Sequence, residues 1–182
     1  MIGAELFKLR KRTMSKVLLI ILVFIIVLVN FLLLAISKVN LPAGGPGSDV
    51  NDLLGLPAAI PFAYALIANF GAVLAIILTA SSMGNEYNWK TIRPVLASSE
   101  SRFKFLTSKL IALSILILIG MVIGVITGFV MGLITTGIGG YTYSFSFATG
   151  SYWWEQFLQF WRTLFVILPF TLFGFLFAVI GR

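Results

Sequence analysis

The amino-acid sequence predicts an all-α membrane protein, a polytopic bundle of four transmembrane helices with both termini in the cytoplasm. The chain is 59% hydrophobic and only 10% charged, whereas about a quarter of the residues in soluble domains are charged. Its mean hydropathy is +1.05. Long apolar runs alternate with polar segments, and Lys and Arg are concentrated in the segments that an even number of spans places on one side. The bilayer is therefore the solvent for most of the chain.

The first span is predicted over residues 17–37, where the apolar run has a single interior polar side chain, Asn30. A helix of this length measures roughly 31 Å, which matches a hydrocarbon core of about 30 Å. Basic residues crowd the preceding segment, residues 1–16. The run exceeds the apolar region of roughly 7–15 residues in a signal peptide, so we expect it to be retained as a span.

The remaining spans are predicted at residues 58–83, 110–138 and 157–180, and residues 1–182 are treated as one transmembrane domain. The third of these runs would measure roughly 43 Å as a helix, so it should tilt or protrude from the bilayer. Gly, Pro, Ser, Asn and Asp mark the first connecting segment as a loop. The predicted connections are external loops at residues 38–57 and 139–156 and a cytoplasmic loop at residues 84–109.

The distribution of basic residues predicts the orientation. The N-terminal segment, the loop at residues 84–109 and Arg182 hold all the Lys and Arg residues except Lys38 and Arg162. Cytoplasmic segments carry such an excess in membrane proteins. The formal net charge of +7 is thus explained by the basic residues that orient the chain in the membrane and that attract anionic lipid. It does not indicate a nucleic-acid partner.

Residue usage excludes several kinds of chemistry. The chain has no Cys and no His, so disulfides, His-ligated zinc and His-based catalysis are excluded. None of its six acidic residues lies inside a predicted span, whereas proton-coupled carriers usually keep an ionisable group there. We therefore predict no catalytic residue, no metal site, no cofactor and no enzymatic activity for this chain. An intramembrane enzyme is disfavoured for the same reasons.

Arg162 is the only charged residue inside a predicted span. It could bind a substrate, or it could extend to the headgroup level as an interfacial anchor. Glu155 and Gln159 share its helical face and offer polar partners. Three neighbouring tryptophans are typical of the membrane interface: Trp153, Trp154 and Trp161.

Four glycines spaced four residues apart place a small-residue face on the third span: Gly120, Gly124, Gly128 and Gly132. Small residues allow a neighbouring helix backbone to approach closely within a membrane. The face could serve as a dimer contact or as a sliding surface during a conformational change. It could equally pack against another span of the same chain.

The cytoplasmic loop has the features of an ordered, exposed segment. The residue before a proline avoids the α region, so we expect its helix to be interrupted at Arg93–Pro94. Favourable charge pairs at helical spacing lie on both sides of this break, and Tyr87 and Trp89 stand among the charges. Such a loop suits a protein contact. It could alternatively lie in the lipid headgroups.

The same loop resembles the first cytoplasmic loop of ABC-2 type transporter permeases. That loop commonly has Glu, an aromatic residue, Gly-Thr, Arg and Leu, then Ser-Arg and a Lys-Leu pair that opens the next span. The corresponding residues here are Glu86, Tyr87, Trp89, Thr91, Arg93, Leu96, Ser101, Arg102, Lys109 and Leu110. Lys90 replaces the usual Gly, and Pro94 interrupts the helix. Glu5, Lys8, Leu9 and Lys11 also resemble the family's amphipathic helix before the first span, which implies such a helix in the cytoplasm over residues 1–16. Permeases of this family typically have six spans, so a chain of four is either a truncated permease or a natural four-span protein.

The resemblance implies the membrane subunit of an ATP-driven exporter in a prokaryotic cell membrane. Its expected partners are a separate ATP-binding subunit, a second permease copy or homologue, and membrane lipid. The cytoplasmic loop would be the coupling helix that contacts the ATP-binding subunit through Glu86, Trp89, Thr91, Arg93, Leu96 and Arg102. The alternative is a membrane scaffold that transports nothing and oligomerises through the glycine face of the third span. The sequence does not define the transported substrate.

Overall fold

The computed structural model describes residues 7, 11, 13–37, 54–56, 58–88, 102–139 and 150–180. Within these residues the chain forms four helices that are long and apolar enough to cross a membrane. The predicted all-α bundle with four spans is therefore confirmed. The helices are Thr13–Ser37, a second helix built from Ala59–Leu66, Ile67–Gly71 and Ala72–Asn88, a third at Arg102–Gly139 and a fourth at Gly150–Ile180.

The third and fourth helices begin before the apolar runs that predict them. The third helix begins at Arg102 rather than at residue 110, and the fourth begins at Gly150 rather than at residue 157. Hydropathy detects the part of a helix that suits hydrocarbon, whereas backbone hydrogen bonding continues into the polar interface. Each of these helices therefore extends beyond its apolar stretch.

The second helix is antiparallel to the third helix. Gly132 of the third helix packs against Ala59 at the start of the second helix. Further along the second helix, Gly124 packs against Ile67. The first helix also packs mainly on the third helix, so the third helix lies between the first helix and the first part of the second.

The second helix is parallel to the fourth helix. Gly71 of the second helix lies near Ile167, and Thr79 lies near Gly174. The interface between Ala72–Asn88 and the fourth helix is the most extensive in the described bundle. The second helix therefore packs mainly on the third helix with its first part and mainly on the fourth helix with its last part.

The largest apolar core lies where the four helices meet around the middle of the second helix. It includes Ile26, Ile67, Met121 and Ile167, one from each helix. A second cluster around Leu78, Met83 and Leu113 lies toward the end where Asn88 and Arg102 are found, and a third cluster around Leu56, Ile60 and Tyr64 lies at the opposite end. Many other large apolar side chains are exposed on the outside of the bundle, as expected for a chain surrounded by lipid.

Two buried hydrogen bonds fix the chain just before the second helix to the end of the third helix. Thr135 donates its hydroxyl to the carbonyl oxygen of Leu54 at 2.8 Å. The backbone N–H of Leu56 donates to Thr136 Oγ1 at 3.3 Å. Backbone polar groups that are buried in an apolar bundle need such partners, because water is not available there.

Candidate functional site

The second and third helices flank the segment predicted as the cytoplasmic coupling loop. The second helix ends at Asn88 and the third begins at Arg102, and these two helix ends lie at the same end of the bundle. Four of the predicted contact residues lie outside the described part of the chain: Trp89, Thr91, Arg93 and Leu96. Glu86 and Arg102 belong to the helical backbone, and their side chains lie outside the description. All of them therefore stay predictions.

A buried lysine joins the two helices at the base of this loop. Lys109 of the third helix is completely buried, and its Nζ donates to the carbonyl oxygen of Ser82 on the second helix at 3.3 Å. Lys109 lies about 10 Å along the helix from Arg102, and Ser82 lies about 9 Å from Asn88. The bond therefore ties the two helices roughly two turns below the loop.

The burial of Lys109 was not evident from its place in the sequence. It stands at the end of the predicted loop, where a basic residue is expected to face water or headgroups. The signal that could have revealed it is the helical stripe that includes Leu113, Ile117 and Gly124. If that stripe is continued toward the N-terminus at helical spacing, it reaches Lys109. A buried ammonium group is costly without a partner, and Ser82 supplies one.

The glycine face of the third helix packs within the chain. A Cβ atom added to Gly132 would lie 2.7 Å from Ala59 Cβ, and one added to Gly124 would lie 2.8 Å from Ile67 Cδ1. Between them, Gly128 faces Ala63 still more closely. Three residues at four-residue spacing on the second helix therefore oppose three glycines at the same spacing.

The fourth member of that face has a different neighbour. A Cβ atom added to Gly120 would lie 3.4 Å from Leu19 of the first helix, an ordinary contact distance. The face thus begins against the first helix and continues against the second. A dimer contact through this face would require the chain's own second helix to leave it.

A π-helical turn divides the second helix at Ile67–Gly71. Such turns are rare and are frequent at functional sites. Ile67 still faces the third helix at Gly124, whereas Gly71 already faces Ile167 of the fourth helix. The π-helical turn therefore lies where the second helix passes from packing mainly on the third helix to packing mainly on the fourth. Its sequence, Ile-Ala-Asn-Phe-Gly, carries no pattern that predicts it.

Gly174 of the fourth helix is a helix-packing residue that the sequence analysis did not predict. A Cβ atom at this position would lie 2.6 Å from Thr79 Oγ1 and 3.1 Å from Ile76 Cα. The second contact is with backbone, so the neighbour cannot move aside cheaply. Gly174 thus allows the fourth helix to approach the second helix closely, as the glycine face does for the third helix.

A small apolar cavity lies beside the π-helical turn. Its volume is about 60 Å³, and all four helices contribute to its lining. Small-molecule sites are typically about 300–1,000 Å³. The cavity is therefore too small for a substrate in this conformation, and it instead marks loose packing at the point where the four helices meet.

Comparison with known families identifies the chain. The family model described as "ABC-2 family transporter protein" matches residues 8–181, which include all four helices and the loop between the second and third. The chain belongs to the ABC-2 transporter family. No curated protein and no solved structure gives a match. The resemblance seen in the loop is thus confirmed at the level of the family, whose permeases are membrane transport components and not catalytic subunits.

In this ABC-2 transporter protein, Arg162 is exposed on the fourth helix. Trp154, Phe157 and Trp161 form a ladder of rings on the exposed surface of the same helix. The first two rings stack at 5.8 Å between centroids, and the last two meet edge to face at 6.2 Å. An exposed aromatic ladder of this kind is typical of the membrane interface, and it indicates the depth at which Arg162 lies.

Proposed function

We propose that the chain is the permease subunit of an ABC-2 type ATP-driven exporter and forms part of its translocation pathway. It couples to a separate ATP-binding subunit through the loop at residues 84–109. The observation that carries the proposal is the junction at the base of this loop, where Lys109 binds Ser82. The membership of the family supports the transport role.

The packing of the second helix explains how movement of the loop reaches the rest of the bundle. This helix packs mainly on the third helix before the π-helical turn and mainly on the fourth helix after it. The π-helical turn also contacts the first helix. Packed interiors transmit displacement because they have few voids. A shift of the loop therefore displaces the second and third helices together, and the fourth helix moves with the second.

ATP hydrolysis is assigned to a partner. The sequence has no Gly-rich phosphate-binding loop that ends in Gly-Lys-Ser or Gly-Lys-Thr. The contact surface proposed for the ATP-binding subunit consists of Glu86, Trp89, Thr91, Arg93, Leu96 and Arg102. We further propose a prokaryotic cell membrane as the location, with the basic loop on the cytoplasmic side, and a second permease copy or homologue as the other partner.

The contact surface required by the scaffold alternative is occupied within the chain. It requires a free glycine face on the third helix, but Gly124, Gly128 and Gly132 pack against the second helix. No other described feature favours oligomerisation without transport. We therefore retain the permease as the proposed function.

Co-purification tests this function. A tagged copy of the chain is captured from membranes of its native host, and the captured proteins are identified and assayed for ATP hydrolysis. We expect an ABC-type ATP-binding subunit to be captured with the wild type and lost with Arg93→Glu or Glu86→Lys. Lys16→Glu is the matched control, because Lys16 is exposed at the same end of the bundle but lies on the first helix. Capture of no ATP-binding subunit by the wild type would overturn the proposal.

A further inference from the structure

A polar groove lies beside the start of the fourth helix, at the end of the bundle opposite Lys109. It has a volume of about 540 Å³, within the usual range of about 300–1,000 Å³ for small-ligand sites. Pro61 of the second helix forms one wall, and the fourth helix supplies the polar lining. The polar residues are Glu155, Gln156, Gln159 and Arg162.

The groove contains two opposite charges that do not neutralise each other. Glu155 and Arg162 are both exposed, and neither makes an ion pair or a hydrogen bond with the residues that the structure describes. They are separated by seven positions, so they share a helical face and lie about 10 Å apart along the axis. Gln159 stands between them on the same face. A ligand with one positive and one negative group fits this arrangement.

Gln156 adds an independent indication of a ligand. Its side chain is only 8% exposed, and its Oε1 atom is buried without a hydrogen-bond partner in the described part of the chain. A buried amide oxygen without a donor is destabilising. Gln156 lines the groove, so a rotation of its amide that turns Oε1 toward the groove allows a ligand with N–H groups to supply the donor.

The order of the charges along the helix matches a lipid. Glu155 lies nearer the helix start, and Arg162 lies two turns deeper, beside Trp161 of the exposed aromatic ladder. In a phospholipid, the phosphate is attached next to the glycerol and the amine stands further out toward water. Arginine binds phosphate oxygens in a bidentate manner and can extend to headgroup depth. The deeper cation therefore corresponds to the phosphate, and the outer carboxylate corresponds to the amine.

We propose that this groove binds the headgroup of a phosphoethanolamine lipid. Arg162 binds the phosphate, and Glu155 accepts hydrogen bonds from the primary ammonium group. Oε1 of Gln156 accepts a further one after its amide rotates toward the groove. A choline headgroup has no N–H donor and leaves both acceptors without one. A glycerol headgroup lacks the positive charge that Glu155 requires. The site is a property of this chain and does not depend on coupling to an ATP-binding subunit.

Lipid binding by the full-length purified protein tests the proposal. After removal of bound lipid, the protein is offered an equimolar mixture of phosphatidylethanolamine, phosphatidylcholine and phosphatidylglycerol with identical acyl chains. Retained lipid is then measured by native mass spectrometry. We expect the wild type to prefer phosphatidylethanolamine. Arg162→Gln should weaken its binding by about tenfold or more, as expected for the loss of a charge-assisted pair. Glu155→Gln should abolish the preference for ethanolamine over choline while phosphate binding persists.

Lys16→Gln is the matched control, because it removes an exposed cation far from the groove, and it should leave the binding unchanged. Arg162 and Glu155 are both exposed, so an unchanged circular dichroism spectrum should accompany each variant. The proposal is overturned if the wild type shows no preference for ethanolamine or if Arg162→Gln binds as the wild type does. Equal binding of soluble phosphoethanolamine, without acyl chains, would also overturn the assignment to a lipid.

Discussion

The Nζ atom of Lys109 donates a hydrogen bond of 3.3 Å to the carbonyl oxygen of Ser82. This contact joins the third helix to the second just below the loop that we propose as the contact with the ATP-binding subunit. Lys109 is fully buried beside the apolar cluster that includes Met83 and Leu113. We therefore expect a movement of the loop to reach both helices through this hydrogen bond and the apolar cluster beside it.

Replacement of Lys109 by Met should weaken the coupling between this chain and the ATP-binding subunit while leaving the stability of the fold almost unchanged. Methionine preserves most of the side-chain volume, and replacing a buried charge by an apolar group is often neutral or stabilising. We expect the free energy of unfolding to stay within about 1.5 kcal/mol of the wild type. Without the tie, ATP hydrolysis stimulated by the permease should fall by about tenfold, the equivalent of one hydrogen bond to a charged group. Both quantities are measured on the co-purified complex.

Lys16→Met controls for the loss of a positive charge, because Lys16 is exposed on the first helix. It should retain the hydrolysis rate of the wild type. Normal stimulation in Lys109→Met would show that the contact with Ser82 plays no part in coupling.

Gly128→Ala should force the second and third helices apart. The added Cβ atom would overlap Ala63 Cβ, and overpacking of this kind costs about 1–3 kcal/mol. Gly137→Ala in the same helix meets nothing within 4 Å and should be neutral or stabilise by up to about 1 kcal/mol through helix propensity. Unfolding of the purified variants in mixed detergent micelles measures both effects.

A second substitution identifies the partner of Gly128. Ala63→Gly removes the Cβ atom that the new methyl group meets. Added to Gly128→Ala, it should restore much of the lost stability, because the two changes restore the space between the helices. Additive destabilisation by the two substitutions would place Gly128 against some other surface.

Gly174→Ala should loosen the fourth helix from the second. The new Cβ atom would lie 3.1 Å from the backbone at Ile76 and still closer to Thr79 Oγ1. We expect a loss of about 1–3 kcal/mol in the free energy of unfolding. Gly84→Ala meets nothing within 4 Å and serves as the control in the same unfolding assay. Equal stability of the two variants would argue against close packing at Gly174.

Deletion of Asn69 should convert the π-helical turn into continuous α-helix. A π-helical turn holds one residue more than a turn of α-helix, so this deletion should leave the buried face of Ala72–Asn88 directed at the fourth helix. We expect the deletion variant to elute as a single species during size-exclusion chromatography, as Asn69→Ala should because Asn69 is exposed. Aggregation of the deletion variant alone would show that packing of the bundle requires the π-helical turn itself.

Hydropathy alone predicted the four spans because the number of apolar runs is a property of the chain that does not depend on packing. The spacing of Gly120 to Gly132 likewise predicted a packing surface but could not identify its partner, since that depends on which helix lies opposite. Gly174 was not predicted as a packing residue, because a single glycine in an apolar run forms no spacing pattern.

Lys109 and the π-helical turn show a different limit. The burial of Lys109 depends on a carbonyl group of another helix, 27 residues earlier in the chain. The π-helical turn at Ile67–Gly71 coincides with the passage of the second helix from packing mainly on the third helix to packing mainly on the fourth. Both features involve contacts with other helices, so neither is visible in the pattern of nearby residues. The family resemblance of the loop, in contrast, depends on the order of residues and was visible directly.

Site-specific cross-linking tests the central claim most directly, because the chain has no cysteine and a single one can be introduced cleanly. Arg93→Cys, labelled with a photoreactive maleimide in membranes of the native host, should yield a covalent product between this chain and an ABC-type ATP-binding subunit. Ile138→Cys lies at the opposite end of the third helix and should give no such product. A product from Ile138→Cys alone, or no product with an ATP-binding subunit from Arg93→Cys, would contradict the proposal that this loop couples the permease to ATP hydrolysis.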